Sequence, residues 1–224
     1  LSRRGIVVIS IDMFGHGHSD NVDSPRYVTN SEGQYYNVET ATFVDNKANA
    51  TAFNAHGMIE TVEYVWHNLH FVDRERIGVT GHSMGGVNST LTMRYYHYQS
   101  TVGDGVGKIS AALMQACNEA TFPGELEGVD VGYVNGLYDE MFAMGMGFNP
   151  ALKEMGIDTV PKLNQFQADT LVRTHAGYTD PYEIGTFVYD QNGNIRVYNT
   201  INGDHPLVHF SVEATEDFIN FSRY

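Results

Sequence analysis

Gly81-His82-Ser83-Met84-Gly85-Gly86 sets a serine between glycines in the G-x-S-x-G spacing, and the chemistry that spacing serves is nucleophilic attack. Arg76–Thr80 ahead of it reads as a strand and Val87–Tyr98 behind it as a helix, so Ser83 falls on a sharp strand-to-helix turn, the nucleophile elbow. Such a turn holds its central residue in strained backbone. Side chains at Gly81 or Gly85 are expected to collide with neighbouring backbone, and Gly86 extends the glycine run. Ser83 would project at the carboxyl edge of a sheet, and the Met84 N–H, at a helix N-terminus, would donate to an oxyanion. His16 and His18 beside Asp12 form an H-x-H pair with metal-ligand character, but spacing supplies no third ligand, so a structural turn is expected there. Cys117 is the single cysteine, which excludes an internal disulfide and a cysteine-based zinc site. No metal or organic cofactor is implied.

The elements that must position these residues follow from periodicity. Ile6–Ile11 is a continuous β-branched run, the pattern of a strand buried on both faces in a parallel sheet. Asn21–Asn49 is polar and carries at most short elements. Phe53, Ile59, Val62, Trp66 and Leu69 recur at spacings of three and four, predicting a helix over Ala50–Leu69. Strands are expected at Ile109–Cys117 and Val129–Val134. Between Met141 and Ile184, helical patches at Pro150–Met155 and Leu163–Val172 lie between glycine and proline breaks. Phe187–Tyr189 and Ile195–Tyr198 flank Asn192-Gly193, the signature of a tight hairpin turn. Ser211 is the expected N-cap of a last helix, with Glu213 and Glu216 in its first turn and Val212, Thr215, Phe218 and Ile219 turned inward. Alternating strands and helices give an α/β architecture, a mostly parallel sheet with helices on both faces.

With the elbow in that context, the chain resembles the α/β-hydrolase superfamily over most of its length, as one domain spanning residues 1–224. Gly5–Asp20, with Asp12-Met-Phe-Gly-His-Gly-His-Ser19, is similar to the family's D-x-x-G-x-G-x-S strand and turn. Val72–Ser83 is similar to the approach to the elbow in dienelactone-hydrolase and prolyl-oligopeptidase-like members. The resemblance implies the order serine, acid, histidine. Asp139, with Glu140 as the alternative, stands where the family's acid sits, after the strand ending near Val134. His205 and His209 both follow the last strand. His205 is preferred as the base because it lies in the loop directly after that strand, whereas His209 is nearly at the next helix. Residues 141–185 are expected to contain a lid or cap insertion, because the interval from Asp139 to His205 exceeds what one connecting helix needs. Met141–Phe148 would line an acyl pocket, hinge that lid or pack in the core. The family's strand carrying a His-Gly oxyanion turn precedes the one that begins here at Gly5, and this sequence holds no counterpart. An N-terminally truncated chain is therefore expected, with a gap in the sheet unless Ile6–Ile11 pairs directly with Arg76–Thr80. The second oxyanion donor stays unassigned.

Composition narrows the function. Thirteen Lys+Arg against 27 Asp+Glu give a net charge of −14, a field that disfavours nucleic acid. At 42% hydrophobic and 18% charged residues the chain is in the globular range. No uninterrupted apolar stretch approaches a membrane span, so membrane association would come through flanking segments. Neither compartment nor oligomeric state is readable. The expected activity is that of a serine hydrolase cleaving carboxylic esters, or amides or thioesters, through an acyl-enzyme, on a small-molecule ester or peptide substrate. A prolyl-oligopeptidase-like peptidase and a non-catalytic binding module of the same fold are the alternatives.

Overall fold

A computed structural model describes residues 5–20, 22, 24–117, 125–147, 149–211, 214, 216 and 221. It separates into two compact units, one of Leu1–Val79 with Asn88–Ser110 and one of Thr80–Val87 with Ala111–Tyr224.

In the first unit the described residues of the polar stretch form a hairpin, β1 (Tyr35–Asn37) and β2 (Thr42–Val44) with Tyr36 opposite Phe43, and a 3₁₀ turn at Lys47–Asn49. Helix α1 is Met58–Asn68, eight residues shorter at its start than its periodicity suggests. His56 and Gly57 adopt positive φ, which breaks a helix, and Phe53 instead forms an isolated bridge with Arg26. Met58, Ile59, Val62 and Val65 are the buried face of α1, while Trp66 and Leu69 are only half-buried. Glu63 on this helix accepts from Tyr96 Oη at 2.7 Å and from Lys108 Nζ at 2.7 and 2.8 Å.

The run Ile6–Ile11 corrects the sequence reading. It forms no strand and belongs to neither sheet, and Val7, Val8 and Ile9 are exposed. A β-branched run becomes a strand only where a neighbour completes its ladder, and without one its propensity decides nothing. The gap is therefore not closed by pairing with the strand before the elbow. The following turn is ordered locally: the His18 N–H donates to Asp12 Oδ2 at 2.9 Å, with the His16 and His18 side chains exposed.

A five-stranded sheet is the frame of the second unit. Strand β3 (Gly78–His82) leads into α2 (Met84–Thr101), followed by β4 (Ala111–Gln115) and β5 (Asp130–Gly136). Then come α3 (Glu140–Gly147), α4 (Pro150–Glu154), α5 (Val160–Ala176), β6 (Val188–Tyr189), β7 (Ile195–Ile201) and α6 (His205–Phe210). The strand order is β3-β4-β5-β7-β6; β4 and β7 run parallel to β5, and β6 is antiparallel to β7. This is an α/β arrangement with a mostly parallel sheet. Leu113, Val134, Val197, Ile201 and Val208 share one buried cluster, so both neighbours of β5 and helix α6 are held by the same apolar contacts. No helix among the described residues is long and apolar enough to cross a membrane.

Three local readings change. Helix α3 forms across the glycine-punctuated Met141–Gly147, with Phe142 in an apolar cluster with Ile157, Val160 and Leu163. The hairpin turn is Asp190–Asn194, where Gly193 alone is at positive φ, and the Asp190 carboxylate accepts from the Asn192 and Asn194 amides. His205 opens α6 instead of lying in a loop. Ser211 Oγ accepts from the Ala214 N–H at 3.2 Å, as a cap does; Val212, Glu213, Thr215, Phe218 and Ile219 lie outside the described residues.

Arg196 is the buried bolt of this unit. Its Nη1 donates to Val129 O and Ile195 O, and its Nη2 donates to Leu126 O and to Asp190 Oδ2 at 2.8 Å. Burial opposes ionisation of Asp190, but hydrogen bonds from Asn194 and Asn192 and the Arg196 charge outweigh it and hold the carboxyl below its usual pKa. Arg196→Ala leaves that carboxylate buried without its cation, and urea denaturation should show a loss of ~3–5 kcal/mol. His175 is pulled from 6.5 down to about 4, by burial and then by the Arg196 charge. Unfolded chains bind a proton near pH 6.5 that the folded chain refuses until about pH 4, so acid costs stability across that window. Melting temperature should fall more steeply between those pH values in the unmodified protein than in His175→Gln.

Candidate active site

In the second unit the side chains of Asp139, His205 and His82 come together after β3, β5 and β7, and Ser83 follows His82 in the chain. Ser83 has φ +55°, a left-handed conformation rare for a residue with a Cβ. It is held there on both sides: the Ser83 N–H donates to Gln115 O at 2.8 Å, and Ser83 O accepts from the Val87 N–H at 3.1 Å as the helix begins. Met84 is the first residue of α2, where an N–H has no intrahelical acceptor.

The glycines divide. A Cβ on Gly81 would lie 2.3 Å from the backbone of Gly85, and one on Gly86 would lie 2.5 Å from Cys117 Cβ, so both positions need hydrogen. A Cβ on Gly85 meets nothing within 4 Å. The expected collision at Gly85 is thus absent, because its backbone is the obstacle that Gly81 must clear, and its own Cβ direction points into open space.

Asp139 is fully buried. One oxygen accepts from the Met141 and Phe142 amides at 3.0 and 3.2 Å, making it the cap of α3, and the other lies 2.8 Å from His205 Nδ1. Two backbone amides at the start of α3 and the His205 ring thus occupy both oxygens of a side chain that has no exposed surface. With Nδ1 turned to Asp139, the imidazole of His205 directs its Nε2 away from that carboxyl.

His205 is gripped at its backbone as well. Its N–H donates to Glu140 Oε2 at 3.1 Å, and its carbonyl accepts from His82 Nε2 at 2.7 Å. Glu140, expected as the alternative acid, therefore touches His205 through its main chain and not its ring. Its own backbone amide and that of His205 hold its carboxyl below the usual range. The His82 ring stands 4.8 Å from that of His205 and 5.4 Å from that of His209, which is exposed. Burial pulls the pKa of His82 down, with the neighbouring histidines adding to it, so the ring is neutral near pH 7. Among the described residues Ser83 Oγ makes no hydrogen bond, to His205 or to any other group.

Beneath the site is a buried polar network. Asn135 Oδ1 accepts from the Cys117 N–H, and Asn135 Nδ2 donates to Tyr198 Oη at 2.7 Å. Tyr198 Oη also lies 2.9 Å from Asn164 Oδ1, and Asn164 Nδ2 donates to Gly136 O. Burial raises the phenol pKa, so the hydroxyl stays protonated. His82, Asn135, Asn164 and Tyr198 carry no sequence signal of their own, except that His82 precedes the nucleophile. Asp204-His205-Pro206 did hold one: Asp204 caps α6 by accepting from Leu207 N at 3.0 Å, with proline in the first turn.

No family model, curated protein or solved structure matches the chain.

The divided glycines give a direct test. Gly81→Ala and Gly86→Ala should each lower stability by ~1–3 kcal/mol through overpacking, whereas Gly85→Ala, in a helix and unobstructed, should be neutral or stabilising by up to ~1 kcal/mol. Chemical denaturation of the three variants reads the difference.

Proposed function

We propose that the chain is a serine hydrolase of the α/β-hydrolase type that cleaves carboxylic esters through an acyl-enzyme, with Ser83 as nucleophile, His205 as base and Asp139 as its orienting acid. The observation that carries this reading is the 2.8 Å Asp139–His205 hydrogen bond, made across 66 residues of chain, with His205 also bound by His82, the residue before a serine in left-handed backbone. The mostly parallel sheet, with the serine turn after β3 and the acid after β5, supports the finer fold assignment.

In the proposed reaction Ser83 Oγ attacks the ester carbonyl carbon while its proton passes to His205 Nε2. Charge on the carbonyl oxygen is met by the Met84 N–H. The ester C–O bond then breaks, and His205 returns the proton to the departing alkoxide, which leaves as the alcohol. Water attacks the acyl-serine, giving one proton to His205 and releasing the carboxylic acid, and Ser83 recovers its hydrogen. Asp139 stays ionised throughout and stabilises the imidazolium.

A fluorophosphonate probe should label Ser83 of the unmodified chain and fail on Ser83→Ala. Asp139→Asn should lower turnover of p-nitrophenyl acetate by roughly 10³–10⁴-fold, since an amide in its place favours the wrong imidazole tautomer. An unmodified chain with no labelling at Ser83 would refute the hydrolase reading.

A further inference from the structure

The three helices that start at the proposed triad carry large apolar side chains in solvent. Met84 opens α2, Tyr138 precedes the acid, Met141 and Met144 lie on α3, and Leu207 and Phe210 lie on α6; all six are exposed, Phe210 at 76%. Met141 and Met144 are three residues apart, as are Leu207 and Phe210, so each pair presents one helix face. The starts of α3 and α6 are tied side by side, because the Tyr138 N–H donates to Gly203 O at 3.0 Å and the His205 N–H donates to Glu140. The two apolar faces thus leave from the Asp139–His205 pair. Exposed apolar groups in such concentration mark a binding surface, and methionine suits a ligand without fixed shape.

Charge selects the ligand. Residues 80–87, 134–147 and 201–211, which supply the nucleophile, the acid, the base and all six apolar side chains, contain no lysine or arginine. Their carboxylates Glu140 and Asp204 are exposed. An anionic substrate would find no countercharge in these segments and two repelling groups, while a neutral chain would meet their apolar side chains.

Resting on the hydrolase reading, we propose that the substrates are neutral esters of aliphatic carboxylic acids, whose acyl chain lies along Met84, Tyr138, Met141, Met144, Leu207 and Phe210. The chemistry is that already written: the acyl carbon passes from alkoxide to Ser83 to water. Hydrolysis turns a neutral ligand into a carboxylate beside Glu140 and Asp204, and the same repulsion that bars anionic substrates helps expel the product.

The experiment is a p-nitrophenyl ester series from acetate through butyrate to octanoate, run alongside fluorophosphonate labelling of Ser83. A chain half-covered on an open surface should gain about twofold in kcat/KM per methylene, and so on the order of tenfold from butyrate to octanoate. Met144→Ser with Leu207→Ser should at least halve that ratio, while Met155→Ser, which alters an exposed methionine at the end of α4, should leave it unchanged. Labelling of Ser83 with a flat or falling chain-length profile would overturn the acyl-chain proposal and leave the hydrolase reading standing. A rising profile indifferent to the double variant would overturn it too, because the chain would then lie elsewhere. Absence of both labelling and ester cleavage would fail the hydrolase reading and this inference with it.

Discussion

A carboxylate with no exposed surface dictates the geometry of the second unit's carboxyl edge. Asp139 must find hydrogen-bond partners for both oxygens to offset its burial, and it divides them between the first turn of α3 and the ring of His205. Each demand fixes a different piece of chain. The amides require α3 to begin directly after β5, and the imidazole requires the segment after β7 to arrive within one hydrogen bond of it. Parallel pairing of β5 with β7 makes both possible, because it brings the two strand ends to the same edge in register, Gly136 opposite Ile201. Close contact there also needs small residues: a Cβ on Gly136 would stand 2.5 Å from Gly203 O.

The imidazole itself is over-determined. Asp139 fixes the ring, Glu140 the amide and His82 the carbonyl of the same residue. Three contacts on one residue leave little freedom to the backbone that carries the ring, which is what pre-organisation would require of the proposed base. That Glu140 binds the main chain answers why two adjacent carboxylates stand at this corner. One is buried and orients the ring; the other is exposed and holds the peptide.

What could be read from the sequence was what depends on neighbours along the chain. The strand-to-helix turn at Ser83 was legible because its requirements lie within six residues, and β4, β5 and β7 because each is a short apolar run bounded by turn formers. Ile6–Ile11 was misread for the opposite reason: its pattern is as strong as theirs, but strand formation needs a partner that local sequence does not contain. Helix α3 was hidden by glycines at 145 and 147, whose helix penalty is offset by the Asp139 cap and by burial of Phe142. For the site, spacing alone yielded only the serine. Asp139 and His205 came from resemblance to a family pattern, and choosing His205 over His209 rested on a loop that is in fact the first turn of a helix. The Asn135–Tyr198–Asn164 network was out of reach, because its members lie 29 and 34 residues or more apart and each is common in unremarkable positions.

The distribution of charge bears on how the proposed reaction would be driven. The chain has an excess of 14 negative charges, yet the transition state of ester cleavage places another on the carbonyl oxygen. None of the three segments that build the site supplies a lysine or arginine to meet it. What those segments offer the proposed reaction is the Met84 amide at the start of α2, and His205 as it takes the serine proton. Positive charge of this kind appears with the oxyanion and disappears with it. It favours the transition state over both the neutral ester and the anionic product, and a permanent cation at the same corner would instead hold the carboxylate after the bond had broken.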